Sequence, residues 1–195
     1  MLKKKEVIYR EILTIALEKK ETRFTQLALS KKFGFSLSTV NNALKPIERI
    51  GAIEKHPRSF VLVDTKKLLL FWASVRNIKK DILYTTRNDI PVMKIEGSMP
   101  SGAIFTAFSG YRLLFKEAPA DYSEVYVYAD EKALKEIKER FPAKPGPPNI
   151  VVLAKDAYLE RGPIVPVSQI YADLWNIKEW YAKEYLDALE RRLFA

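Results

Sequence analysis

The run of residues from Phe24 to Val63 leaves this chain few ways to fold. Ser30 supplies a small side chain where two helices would touch, and four residues later Gly34 tolerates the positive φ that a sharp bend demands. Thr25 stands where it caps a first helix, with Phe24 and Leu29 placed as a hydrophobic staple across its start. Ser36 caps a second helix. In that helix Val40, Ala43, Leu44 and Ile47 recur at steps of three and four, so they share one buried face. Gly51 ends it. Ala52 to Lys55 and Phe60 to Val63 then alternate in character on either side of His56-Pro57-Arg58-Ser59, the pattern of a hairpin. Two helices joined by a tight turn and followed by a two-stranded wing form a winged helix-turn-helix, an arrangement that presents its second helix to the major groove of DNA.

The side of the second helix turned away from the core carries Ser38, Thr39, Asn41, Asn42, Lys45 and Arg49, all hydrogen-bond formers or cations. Asn42 or Asn41 has the paired donor and acceptor that read adenine, while Ser36, Ser38, Thr39 and Lys45 are placed for phosphates near the helix start. Arg58 at the wing tip suits the adjacent minor groove or its phosphates. An ordinary solvated helix face would be polar too. Pro46 is the exception within this helix, because it lacks a backbone donor and crowds the carbonyl of Asn42. A kink is expected there, or else a break with a second short segment beginning at Pro46.

Charge points the same way. Residues 1–63 hold thirteen Lys or Arg against six Asp or Glu, a net of +7, whereas residues 64–195 hold twenty against eighteen, a net of +2. Such concentration is the footprint of a phosphate-binding surface, to which Lys3, Lys4, Lys5, Arg10, Lys31 and Lys32 would add non-specific, salt-sensitive affinity. A membrane surface would attract the same charge. No segment, however, approaches the run of about 20 apolar residues that a span needs, and the N-terminus lacks the apolar core of a signal peptide.

With 195 residues, 48% of them hydrophobic, the chain suits one small and one medium domain. It has no cysteine and one histidine, His56. Disulfides, thiolate zinc sites and cysteine nucleophiles are therefore excluded, a histidine cluster or triad is not expected, and a cytoplasmic location is. No cofactor or metal is called for. Few Gln, many Lys and Glu and no Cys also fit a heat-adapted source.

The expected fold is α+β, with a winged helix-turn-helix over residues 1–63, a linker helix over 64–80 and a mixed α/β domain over 81–195. Lys3 to Lys20 reads as a first helix with Ile8, Ile12 and Ile15 on one stripe. Asp64 to Lys80 reads as a long helix whose Leu68, Leu69, Phe71, Trp72 and Val75 bridge the domains or pair with a second copy. Beyond it the pattern places a strand over Asp81 to Thr85, a helical turn over Pro91 to Glu96, a helix over Ser101 to Tyr111 and a strand over Glu124 to Tyr128. An amphipathic helix follows over Ala129 to Arg140, then a proline-dense loop, a buried strand over Asn149 to Leu153, and helices over Val167 to Leu174 and Ile177 to Phe194.

The segment Pro166-Val167-Ser168-Gln169-Ile170-Tyr171-Ala172-Asp173-Leu174 leads into a terminal helix rich in Ala and Leu. Together with Ser101-Gly102-Ala103, Tyr126-Val127-Tyr128 and the winged helix, it resembles the AbiEi-like antitoxin family of transcriptional regulators. The resemblance is diffuse but covers most of the chain. It implies a repressor, autoregulating a toxin operon, whose second domain makes partner or self contacts. The chain departs from that pattern at Trp175-Asn176-Ile177-Lys178-Glu179-Trp180, where the family tends to carry a Gly- or Pro-bearing turn.

Two other readings meet obstacles. Gly97-Ser98 with Asp121, Glu124 and Asp130 has the ingredients of a nucleotidyltransferase metal site, but those carboxylates are too far from the turn and wrongly spaced to hold two ions. No catalytic residue is expected. Ten aromatic residues of the second half, among them Tyr111, Tyr126, Tyr128 and Trp180, would offer stacking platforms to a single strand, yet the near-neutral charge there suits a protein contact better. The expectation is a dimeric, sequence-specific regulator of double-stranded DNA, or alternatively an antitoxin that neutralises a toxin enzyme through residues 81–195.

Overall fold

The computed structural model describes residues 2–159 and 162–194. It is an α+β protein with two separate sheets, and it divides into compact units over residues 2–76 and 77–193.

In the first unit, α1 (Lys4–Thr14) continues as a π-turn over Ile15–Lys19 and stops where Lys20 turns left-handed. Ile8, Ile12 and Leu13 are fully buried. Ile15 is only half-buried, and Ala16 and Leu17 take the core positions instead. The wider π-turn rotates everything after Thr14, which moves the expected stripe off Ile15. Then come β1 (Arg23–Phe24), α2 (Gln26–Phe33), α3 (Leu37–Arg49), β2 (Ile53–Lys55), β3 (Phe60–Leu62) and α4 (Thr65–Val75). The sheet runs β1-β3-β2, antiparallel throughout. It has a third strand that the hairpin pattern did not reveal, in which Phe24 pairs with Phe60 and stacks on its ring at 5.4 Å.

α3 runs unbroken through Pro46, so no second segment begins there. The carbonyl that Pro46 leaves without its helical partner belongs to exposed Asn42, where water can replace the lost bond. Tyr9 reaches across from α1 and donates its hydroxyl to the Ala43 carbonyl at 2.8 Å, in the core, while its ring meets Phe71 of α4 edge-on at 5.9 Å. α4 is shorter than its apolar run suggested. It ends at Val75, inside the first unit, and a separate 3-10 turn covers Ile78–Asp81.

The second unit is built on a four-stranded sheet in the order β4 (Ile82–Thr86), β7 (Ile150–Ala154), β6 (Val125–Ala129), β5 (Ile104–Thr106). β6 and β7 are parallel, joined through α7 (Glu131–Arg140), and the outer strands are antiparallel to them. Val125, Val127 and Ala129 alternate to one face and pack with Ile150, Val152, Ile137 of α7 and Ile95 of α5 (Val92–Gly97). The opposite face carries Tyr126 and Tyr128 towards α6 (Ala107–Phe115) and α8 (Val167–Leu174). The chain closes with α9 (Ala182–Phe194), five residues later than its apolar pattern suggested.

One expected helix is in part a strand. Ile104-Phe105-Thr106 pairs antiparallel with Tyr128-Val127-Tyr126, and only then does the chain turn, at Ala107 with φ 51°, into α6. A β-branched and aromatic triplet is worth more as a sheet edge than as the first turn of a helix, and residues 163–165 cover its outer side through Phe105.

Two outcomes follow from the buried tyrosines. Tyr9→Phe should lower stability by about 1 kcal/mol, the worth of one buried neutral hydrogen bond, read from a urea or thermal melt. Burial pushes the hydroxyls of Tyr9 and Tyr181 up to about 12 and those of Tyr122, Tyr126, Tyr171 and Tyr185 higher still. Unfolded tyrosines ionise near pH 10. Their neutral forms therefore stabilise the fold fully below about pH 10, and that contribution is lost as pH rises through 12 and beyond. Melting temperature measured between pH 8 and 12 should fall over the upper half of that range, with tyrosinate absorbance appearing as the protein unfolds.

Candidate nucleic-acid interface

The placement of α3 begins with local chemistry. Thr25 starts α2 by accepting the Ala28 amide at 3.1 Å. Gly34 ends it at φ 65°, and the Ser30 hydroxyl donates to the Phe35 carbonyl at 2.6 Å across the turn. Ser36 then starts α3, its hydroxyl accepting the Thr39 amide at 3.1 Å. Val40, Ala43, Leu44 and Ile47 are buried as one row.

On the opposite side Ser38, Asn42, Lys45 and Arg49 are exposed. Their side chains make no hydrogen bond or ion pair among the described residues. Arg58, exposed at the tip of the hairpin, and Lys31, exposed on α2, are in the same condition. This set keeps its donors and charges available to a ligand.

The other expected contacts are already occupied. Ser36 and Thr39 bond to one another, hydroxyl to hydroxyl at 2.9 Å, as part of the cap. Asn41 accepts from the Lys55 ammonium at 3.3 Å, and Lys55 also pairs with Glu48 at 2.6 Å. Lys32 pairs with Glu11 at 2.6 Å and lies over the Phe33 ring. Arg10 is buried, which removes it from the phosphate-binding surface that the charge count had suggested. The apolar side of an amphipathic helix accepts an arginine only where the head finds partners, and the sequence alone does not reveal them.

Two residues of this region were not singled out from the sequence. Lys55 binds the end of β2 to α3 through Asn41 and Glu48, and its signal was the outward-facing end of a strand beside a helix that carries both partners. Leu37, at the first turn of α3, is 51% exposed amid hydrogen-bonding neighbours. No protein-family model, curated protein or solved structure matches this chain.

In the second unit the carboxylates that follow Gly97-Ser98 in the nucleotidyltransferase-like pattern serve local structure instead. Asp130 caps α7 by accepting the Ala133 amide at 2.9 Å, and Glu124 accepts from the Tyr181 and Ser123 hydroxyls. Asp121 is exposed. Among the described residues no group of three or more His, Asp or Glu is gathered for a metal ion. Tyr111, Tyr128, Tyr171 and Tyr185 are fully buried and so cannot stack on bases, while Trp175 and Trp180 are exposed.

The commitment of Ser36 to its cap gives a direct outcome. Ser36→Ala should cost about 1 kcal/mol in stability, and Ser36→Asp should retain most of it, because a carboxylate accepts the same amide. Thermal melts of the two variants beside the parent chain read the difference.

Proposed function

We propose that residues 2–76 form a winged helix-turn-helix that binds double-stranded DNA, with α3 in the major groove and the hairpin tip on the adjacent backbone or minor groove. On this reading the chain is a sequence-specific transcriptional regulator that represses by occupying its operator. The observation that carries it is the outer face of α3. Ser38, Asn42, Lys45 and Arg49 stand exposed and unpaired opposite a row of fully packed apolar residues. The net charge of +7 over residues 1–63 supports it, since phosphate neutralisation supplies most non-specific affinity. Occupied Asn41 and free Asn42 support Asn42 as the side chain that pairs with adenine. Action as a homodimer on paired half-sites is part of the proposal, as a single module of this size contacts few base pairs.

A second reading draws on Trp180, 78% exposed, and on Trp175 nearby in sequence, also exposed. Exposed tryptophans are enriched at protein contacts. They favour a protein partner for the second unit, and the antitoxin reading makes that partner a toxin enzyme.

Fluorescence anisotropy with the promoter upstream of this chain's own gene and with a scrambled duplex, at two salt concentrations, tests the first reading. A preference for the promoter of about a thousandfold is expected. Equal and strongly salt-dependent binding to both duplexes would reduce the first unit to a non-specific anchor. Within that experiment Asn42→Ala should weaken binding by about 1–3 kcal/mol and relax the preferred sequence at one position. Lys31→Ala should weaken every duplex alike and lower the salt slope by about one.

A further inference from the structure

The apolar residue at the start of α3 lacks a structural explanation. Leu37 is 51% exposed, while the residues on either side of it, Ser36 and Ser38, are polar. Burial at the margin of the packed row accounts for only about half of its surface, and the fully buried positions begin at Val40. Helix capping does not account for the rest, since Ser36 performs it.

Its position in the helix is informative. Residues four apart lie one above the other, so Leu37, Asn41, Lys45 and Arg49 form a single ridge along α3. Side chains on a helix lean towards its N-terminus, which carries Leu37 to the leading end of that ridge. When a recognition helix enters the major groove, its N-terminal residues meet the base edges. Those edges present one apolar group, the C5-methyl of thymine. A hydroxyl or an ammonium at this point would gain nothing from a methyl, whereas a leucine would desolvate it and be desolvated in return.

We infer that Leu37 reads a thymine methyl in the operator, through apolar contact at the leading turn of α3. The inference rests on the DNA-binding reading given above and adds a base identity to it. Asn42, five residues further along the helix and free to pair, then reads adenine close by, so the recognised half-site carries thymine and adenine within a few base pairs of each other.

The test removes the methyl group alone. A duplex is selected from a randomised library by the full chain, then resynthesised with deoxyuridine replacing thymidine at one position at a time. Affinities are measured by anisotropy at fixed salt. For the parent chain one position should weaken by about fourfold, the worth of one buried methyl, with the others nearly unchanged. Leu37→Ala should bind the thymidine duplex about as weakly as the parent binds the deoxyuridine one, and should be indifferent to the replacement. Its thermal melt should stay close to the parent's, since about half of the side chain is exposed and alanine favours the helix. Selective binding that ignores every deoxyuridine, or a Leu37→Ala variant that keeps the parent's sensitivity, would overturn the inference and leave the DNA-binding reading standing. Failure to select any duplex would defeat that reading and this inference together.

Discussion

The first unit depends on the left-handed bend between α2 and α3. Gly34 sits at φ 65°, and a β-carbon placed there would meet nothing within 4 Å. Space is therefore not the constraint, and conformation is: an L side chain at that φ strains the backbone wherever it points. The turn is closed by the Ser30 hydroxyl on the Phe35 carbonyl and by the Phe35 amide on the Ser30 carbonyl. With Thr25 and Ser36 starting the helices on either side, few degrees of freedom remain between α2 and α3. Tyr9 then holds the middle of α3 from the other side. The free outer face of α3 is thus a consequence of a short list of local bonds, and each was affordable because its donor and acceptor lie within a few residues or in the core.

The same local bonds explain which features were legible in the sequence. Caps, a glycine bend and a three-and-four apolar repeat are local, so Thr25, Gly34, Ser36 and the row from Val40 to Ile47 were legible residue by residue. Several of the misses share one character. β1 exists because Phe60 offers an edge and a ring to Phe24, thirty-six positions earlier in the chain. Ile104 to Thr106 is a strand because Tyr126 to Tyr128 lies beside it. Asn41 is occupied because Lys55 returns to it from β2. In each case the decisive partner is distant in sequence, and periodicity carries no information about it.

Lys55 also bears on how the outer face of α3 works as a unit. Its ammonium joins Asn41 and Glu48, seven residues apart on the helix, to the strand that leads into the hairpin. An exposed ion pair contributes little stability. Its geometric effect is larger, since two anchor points on one helix face restrict the hairpin's direction more than one would. On the proposed DNA-binding reading, that restriction would help Arg58 at the tip and Asn42 and Lys45 on the helix contact one duplex together.

The second unit shows a different use of polar groups. Asp173 is fully buried, and its carboxylate accepts from the hydroxyls of Thr106 and Tyr128, both at 2.8 Å, and from the Gln169 amide at 3.2 Å. Gln169 donates in turn to the Tyr128 hydroxyl at 2.9 Å. These groups come from β5, β6 and α8, so the network fixes the register of two strands against one helix. A purely apolar contact would tolerate sliding, whereas a shifted strand here would strand a carboxylate in the core. The aromatic residues follow suit: Phe108 gathers Tyr122, Tyr126, Tyr181 and Tyr185 around it, with Glu96 and Glu124 taking the hydroxyls of Tyr122 and Tyr181. Tyrosine suits this role because its ring fills the core while its hydroxyl reports its exact position to a partner. Their abundance in this half of the chain is thus a property of how the sheet and its helices are locked together, and Trp180, which meets Tyr181 edge-on at 5.5 Å, extends the cluster out to the surface.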